Sequence, residues 1–269
     1  MSLRVAVGDG VKLHYMVEGS GPTLVLTGAP VGIEGFAGLA SKLSSDFTVV
    51  RHDPRGIGLS AIPATASLSL NDLSDDLLTI VREVAGDEPV TLFGTSGGAV
   101  VALDLVSRFP SVVGRLVVHE PPLFGLAPDC DRLLERANAA FRLAATDPQA
   151  GAQAFFDVSE ALHRTFAEWP RPDPVTLPPM PQAELEKQRF ALGTMAPVTV
   201  NYWPAFAALP RDKLVVAAGS ASVGQPARKA AEAVAARTGA PFVEAPGNHL
   251  GMALEPDAFA GWLATLLKA

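Results

Sequence analysis

The stretch Pro89-Val90-Thr91-Leu92-Phe93-Gly94-Thr95-Ser96-Gly97-Gly98 decides how this chain is read. It opens as a short apolar run and closes as a glycine-rich turn around one serine. The apolar residues Ala99-Val100-Val101-Ala102-Leu103 follow at once and read as a helix. Strand, sharp turn and helix, with glycine two residues either side of a serine, is the context of a nucleophile elbow. The glycines have a physical reason. The turn holds its serine in a strained backbone conformation, and neighbouring chain comes too close on both sides for a Cβ. The hydroxyl of Ser96 then projects above the sheet edge. The amide of Gly97 opens a helix and can face a developing oxyanion.

Outward from this stretch the pattern alternates. On the N-terminal side, Leu3 to Val7 and Val11 to Val17 read as a hairpin around Gly8-Asp9-Gly10. Thr23 to Leu26 and Phe47 to Arg51 read as buried strands, with a helix from about Gly35 to Ser44 between them. Leu73, Leu77, Ile80, Val81 and Val84 share one helical face, which Asn71 or Asp72 can cap. Beyond the elbow, Arg115 to Val118 reads as a further strand. Strands alternating with helices imply a parallel sheet covered on both faces. From Leu123 to Leu209 helical stretches replace strands, and the proline-dense segment Trp169 to Pro181 excludes a regular element. The α/β pattern then resumes: strands at Lys213 to Ala218 and Pro241 to Ala245, helices at Ala227 to Arg237 and Asp257 to Leu267. The expected organisation is a core of residues 1–122 and 210–269 with a helical cap, residues 123–209, inserted in it.

Composition bounds the function. With 269 residues, 48% of them hydrophobic and 18% charged, there is material for one large domain. A net charge of -7 argues against a nucleic-acid partner. The lone cysteine, Cys130, forms no intrachain disulfide and suits a reducing, cytoplasmic setting. The N-terminus lacks the apolar core of a signal peptide, and no apolar run spans a bilayer, so no membrane partner is expected. Neither G-x-G-x-x-G after a strand nor an H-x-x-x-H pair is present, and no metal or organic cofactor is expected.

Three motifs together resemble the α/β-hydrolase superfamily over essentially the whole chain. They are the elbow at Ser96, the loop Asp53-Pro54-Arg55-Gly56-Ile57-Gly58-Leu59-Ser60, and Pro246-Gly247-Asn248-His249. The resemblance implies a mostly parallel eight-stranded sheet with helices on both faces, an inserted cap, and a serine nucleophile. Relatives of this fold that cleave alkyl halides or epoxides carry aspartate at the elbow. A serine there favours acyl transfer through an acyl-enzyme.

His249 is the general base expected. Of the five histidines, His14 falls within a strand, His52 precedes the Asp53 loop, His119 ends a strand and His163 lies in the cap. Only His249 follows the last strand in a glycine-containing loop, in the chain order serine, acid, histidine. The acid departs from the common pattern. Most members of the family carry it shortly after the strand that follows the cap, but Gly219-Ser220-Ala221-Ser222-Val223-Gly224-Gln225 has no carboxylate, and Asp212 lies at the wrong end of that strand. Either the triad is incomplete or Glu120, in His119-Glu120-Pro121-Pro122, supplies the acid from the adjacent strand end, about 5 Å away. The fungal zearalenone lactonases are similar in this segment, with a glutamate acid at the same place. That favours Glu120 and suggests a macrocyclic or aryl lactone.

The second oxyanion donor is expected from Thr27-Gly28-Ala29-Pro30. Pro30 has no N–H, leaving Gly28 and Ala29, with Ala29 preferred. Asp53 and Arg55 read as loop-tying residues rather than as catalytic ones. Of the cap aromatics Phe155, Phe156, Phe166, Trp169, Phe190, Tyr202, Trp203 and Phe206, most are expected in the core. Trp203 and Phe124, at the two cap junctions, are expected to line the substrate site together with Pro30. The expected activity is a serine hydrolase acting on an apolar, uncharged ester or lactone. The alternatives are a carbon–carbon bond hydrolase or perhydrolase using the same residues, or a non-hydrolytic binding or biosynthetic protein. A homodimer is left open.

Overall fold

In the computed structural model the described residues are 1–63, 66–127, 130–158 and 176–268. His163, Phe166 and Trp169 lie outside them, as does the Cys130 side chain. Eight strands form one sheet: β1 (Ser2–Gly8), β2 (Val11–Gly19), β3 (Thr23–Thr27), β4 (Thr48–His52), β5 (Val90–Thr95), β6 (Val113–His119), β7 (Leu214–Gly219) and β8 (Phe242–Ala245). Their order is β1-β2-β4-β3-β5-β6-β7-β8. β2 is antiparallel to both β1 and β4, and every other pair is parallel. This is the α/β-hydrolase fold that the motifs imply.

The helices lie where amphipathic spacing demands cover for that sheet. They are α1 (Ala37–Leu43), α2 (Leu70–Ala85), α3 (Gly97–Arg108), α4 (Cys130–Thr146), α5 (Pro148–Val158), α6 (Gln182–Phe190), α7 (Ala196–Val200), α8 (Pro226–Thr238), α9 (Gly251–Leu254) and α10 (Pro256–Lys268). Two buried clusters coat the sheet. One packs α2, α3 and α8 against it through Leu77, Ile80, Leu103 and Val234. The other packs α1 and α10 through Leu39, Leu43, Phe259 and Leu263. α3 is apolar nearly all round, and ten of its residues are buried, as a helix beneath a cap and beside a sheet must be.

One local expectation is corrected. The N-cap of α2 is Ser69, not Asn71 or Asp72. Leu70 is buried and starts the helix, and Asp72 takes the third helical position, where its carboxylate accepts from the Ser69 N–H at 2.7 Å. The pair forms a capping box. β1 turns Leu3, Val5 and Val7 outward, and each is about half exposed or more. The hairpin buries Leu13 and Tyr15 from β2 and Ala6 from β1.

Residues 123–209 interrupt the sheet between β6 and β7 with α4 to α7, and among the described residues this insertion contains no strand. Residues 176–181, the described part of the proline-dense segment, are irregular. α6 runs through a π turn at Ala191–Met195 into α7. The insertion is anchored at its return. The Tyr202 hydroxyl donates to Asp104 on α3 at 3.0 Å. Desolvation first, and then the Asp104 charge, push that phenol up to about 12. Among the described residues no helix is long and apolar enough to cross a membrane.

Candidate active site

Ser96 stands at the carboxyl end of β5, with φ 53 and ψ −131. Non-glycine residues seldom adopt this conformation, and it persists only where surrounding structure enforces it. The enforcement is visible. The Ser96 N–H donates to the His119 carbonyl at 3.0 Å. A Cβ on Gly94 would meet Ala99 Cα and the Gly98 carbonyl oxygen, each at 2.8 Å. One on Gly98 would collide with the Thr27 carbonyl. Glycine is required at these positions because β3, β5 and α3 converge here.

His249 comes from the loop between β8 and α9. Its Nε2 lies 3.2 Å from Ser96 Oγ. Its Nδ1 lies 2.8 Å from Glu120 Oε2. The three groups form a linear series of contacts, an arrangement able to deprotonate a hydroxyl and to stabilise an imidazolium.

Glu120 follows β6 directly and, like Ser96, has a positive φ, 46. Its side chain is fully buried. Oε1 accepts from the Gly219 N–H at 2.8 Å, leaving Oε2 for the imidazole. Burial pushes the carboxyl up, but the hydrogen bond and charge of His249, with His119 beside it, outweigh burial and hold it at about 2. Glu120 is therefore a carboxylate at any ordinary pH. The carboxylate beside His249 is that of Glu120, after β6, and none follows β7 in residues 219–225.

His119 lies beneath this series. It is fully buried and stacks on His249, with ring centroids 6.4 Å apart and planes 26° from parallel. Its Nδ1 is 3.1 Å from Thr95 Oγ1. Burial holds it down to about 4, against a smaller opposing pull from Glu120, so it is a neutral platform. The sequence shows His119 as a strand-ending histidine, and nothing in it reveals this stacking.

A cavity of about 240 Å³ opens on Ser96 and His249. Ala29 and Gly97 both line it. Among the described residues the Ala29 N–H has no hydrogen-bond partner, and the Gly97 N–H begins α3, where first-turn amides lack intrahelical acceptors. Gly28 is not among the lining residues, because it packs against Val31 instead. Pro30 and Phe124 line the cavity. Trp203 does not, which corrects the expectation for it. Trp203 is 60% exposed and stacks edge-on with Phe206, under the Arg237 guanidinium. The insertion between β6 and β7 contributes Phe155, Leu192 and Val200 instead, and Leu250 and Met252 close the histidine side. No charged side chain of the described residues lines the cavity. Phe155 belongs to the aromatics of residues 123–209, of which most but not all are expected in the core, and the sequence does not single it out. Leu192 and Val200 carry no local signal.

Asp53 and Arg55 tie loops together and stay out of the cavity. Asp53 accepts the Ile33 and Leu59 N–H groups, both at 2.8 Å. Arg55 grips Asp76 on α2 with two hydrogen bonds of 2.6 Å. Among the described residues no group of three or more His, Cys, Asp or Glu side chains is placed to hold a metal ion.

The sequence matches the alpha/beta hydrolase family over residues 24–262. The uncharacterized hydrolase YraK of Bacillus subtilis is 34% identical over 119 residues, a match covering 44% of this chain and 44% of that protein. The chain thus spans less than half the length of the curated relatives it matches. A hydrolase from Pseudomonas aeruginosa PA01 superposes with a TM-score of 0.69 at 23% identity, covering 100% of this chain and 99% of that one. The enol-lactonase from Burkholderia xenovorans LB400 superposes with a TM-score of 0.67 at 18% identity, covering 99% of this chain and 100% of that one. At such identities these structures speak for the fold alone.

Proposed function

The chain belongs to the alpha/beta hydrolase family, and from that premise we propose that it is a serine hydrolase cleaving a neutral, largely apolar carboxylic ester or lactone through an acyl-enzyme. The observation that carries the reading is the relay: Ser96 Oγ to His249 Nε2 at 3.2 Å, and His249 Nδ1 to Glu120 Oε2 at 2.8 Å.

In the proposed reaction, Ser96 Oγ bonds to the carbonyl carbon while its proton passes to His249 Nε2. Glu120, ionised, stabilises the imidazolium and holds the tautomer. The carbonyl oxygen gathers negative charge against the Ala29 and Gly97 amides. His249 then gives the proton to the departing alkoxide oxygen. In a lactone that oxygen stays tethered to the acyl group. Water, deprotonated by the same imidazole, attacks the acyl-enzyme and frees the acid. The apolar lining supports a neutral substrate, because a charged one would lose its hydration there without a partner.

The test is labelling with a fluorophosphonate, followed by hydrolysis of p-nitrophenyl esters and of neutral lactones. Native protein should label at Ser96, and Ser96→Ala should not. Native protein that stays unlabelled, and that turns over neither substrate class, would overturn the reading.

A further inference from the structure

The turn after β7 holds a polar atom to which the relay assigns no task. Ser222 closes the short 3-10 turn Ser220–Ser222 that follows Gly219. It is fully buried. Among the described residues its Oγ makes no hydrogen bond of good geometry. Burying a hydroxyl without a partner costs free energy, so such an atom calls for an explanation.

The neighbour that explains it is Glu120. β6 and β7 run in parallel register with His119 opposite Ala217, and the Glu120 N–H donates to the Ala217 carbonyl at 3.0 Å. The carboxylate therefore enters the space beneath the turn, where the Gly219 N–H meets Oε1 at 2.8 Å. The Ser222 hydroxyl, buried and without a hydrogen bond, helps to favour the ionised carboxylate. A carboxylate has about four acceptor sites. The Gly219 amide and the His249 ring occupy two of them. A small shift of the Ser222 side chain would let its hydroxyl take another.

We propose that Ser222 is a positioning residue for the triad acid. Its hydroxyl donates to the Glu120 carboxylate, pins that side chain against the Gly219 amide, and keeps Oε2 aimed at His249 Nδ1 while the imidazolium forms. The proposal rests on the Ser96–His249–Glu120 reading. Ser222 contributes nothing to substrate contact, since it is not among the cavity-lining residues.

The experiment is a double-mutant cycle on p-nitrophenyl ester hydrolysis, with kcat, KM and urea unfolding measured for each protein. Ser222→Ala should lower kcat about tenfold, the worth of a hydrogen bond to a charged acceptor, and leave KM within about twofold. Ser222→Thr, which keeps the hydroxyl, should retain most of the native kcat. In the Glu120→Gln background, Ser222→Ala should cost less than about twofold, because the charge it serves is gone. An unchanged kcat in Ser222→Ala, or the same loss in both backgrounds, overturns the proposal. Glu120→Gln with native kcat would overturn the triad reading and this proposal with it. A large Glu120→Gln loss beside a neutral Ser222→Ala would overturn this proposal alone.

Discussion

Glu120 and His249 are 129 residues apart in the chain, and their side chains meet at 2.8 Å. β6 delivers the carboxylate, and the loop after β8 delivers the imidazole. β7 lies between those strands, and its last residue, Gly219, donates its amide to the second carboxylate oxygen. Gly219 carries no Cβ because Asn248 Cα would lie 2.6 Å from it. That close approach lets the histidine loop drop toward the acid.

Glu120→Gln is expected to lower kcat by roughly 10³- to 10⁴-fold with KM little changed, because a neutral amide can hold the wrong tautomer and cannot stabilise the imidazolium. Steady-state kinetics on a neutral ester reads this. A loss confined to KM would assign Glu120 to substrate binding rather than to the relay.

Gly98→Ala is expected to distort the elbow, because the new methyl meets the Thr27 carbonyl. Overpacking of this kind costs on the order of 1–3 kcal/mol. Displacing Ser96 should remove most turnover as well. Gly261→Ala is the control. It sits on the exposed face of α10 with nothing near its missing Cβ, and should be neutral or stabilising by up to about 1 kcal/mol. Urea unfolding of the two variants compares them directly. Equal stabilities would remove the steric account of the elbow glycines.

Acid should destabilise the fold within a definite window. Burial holds His52 and His119 each down to about 4, against some upward pull from neighbouring carboxylates. Their folded pKa values are depressed, so between about 6.5 and 4 the unfolded chain binds protons that the folded chain refuses. Stability therefore falls as pH drops through that range, by roughly 3 kcal/mol for each histidine. Glu120, held at about 2, adds a further loss below about pH 4.5, as the unfolded carboxyl is protonated first. His52→Gln should flatten the upper part of the curve. It removes the titrating ring, whose Nε2 lies 3.0 Å from Thr27 Oγ1 and outside the cavity. Denaturant unfolding at pH 7, 5.5 and 4.5 measures the slopes, and identical slopes in native protein and variant would refute the assignment.

Substrate size should respond to the cap-facing wall rather than to the exposed junction. Ala227, 5% exposed at the start of α8, lines the cavity. Ala227→Phe should fill part of it and raise KM for long acyl chains more than for acetate esters. Trp203→Ala should leave the chain-length profile unchanged, because Trp203 faces solvent and Arg237. A profile that shifts with Trp203 and ignores Ala227 would relocate the acyl site.

The elbow, the strand–helix alternation and the order serine, acid, histidine are legible in the residues, because each rests on short-range physics. Glycines at 94 and 98 announce a turn with no room for side chains. Leu73, Leu77, Ile80 and Val81 announce a helical face. Leu13 and Tyr15 announce a half-buried strand. The capping of α2 was misread at close range, because Ser69 and Asn71 carry similar caps and only the burial of Leu70 separates them. Trp203 was misplaced for another reason: a residue at a domain junction can turn either way, and its packing partner Phe206 and the distant Arg237 decided the outcome.

The sequence alone determined that this chain would build a mostly parallel sheet with a strained serine at one strand end and a histidine after the last strand. It left open whether the triad is incomplete or takes Glu120 as its acid. Only the tertiary structure put the Glu120 carboxylate against His249. Strand order placed β7 beside β6, so that an amide of one strand end could hold the carboxylate of the other within reach of His249. The pairing of strands distant in sequence is a long-range packing decision, and no local pattern of residues encodes it.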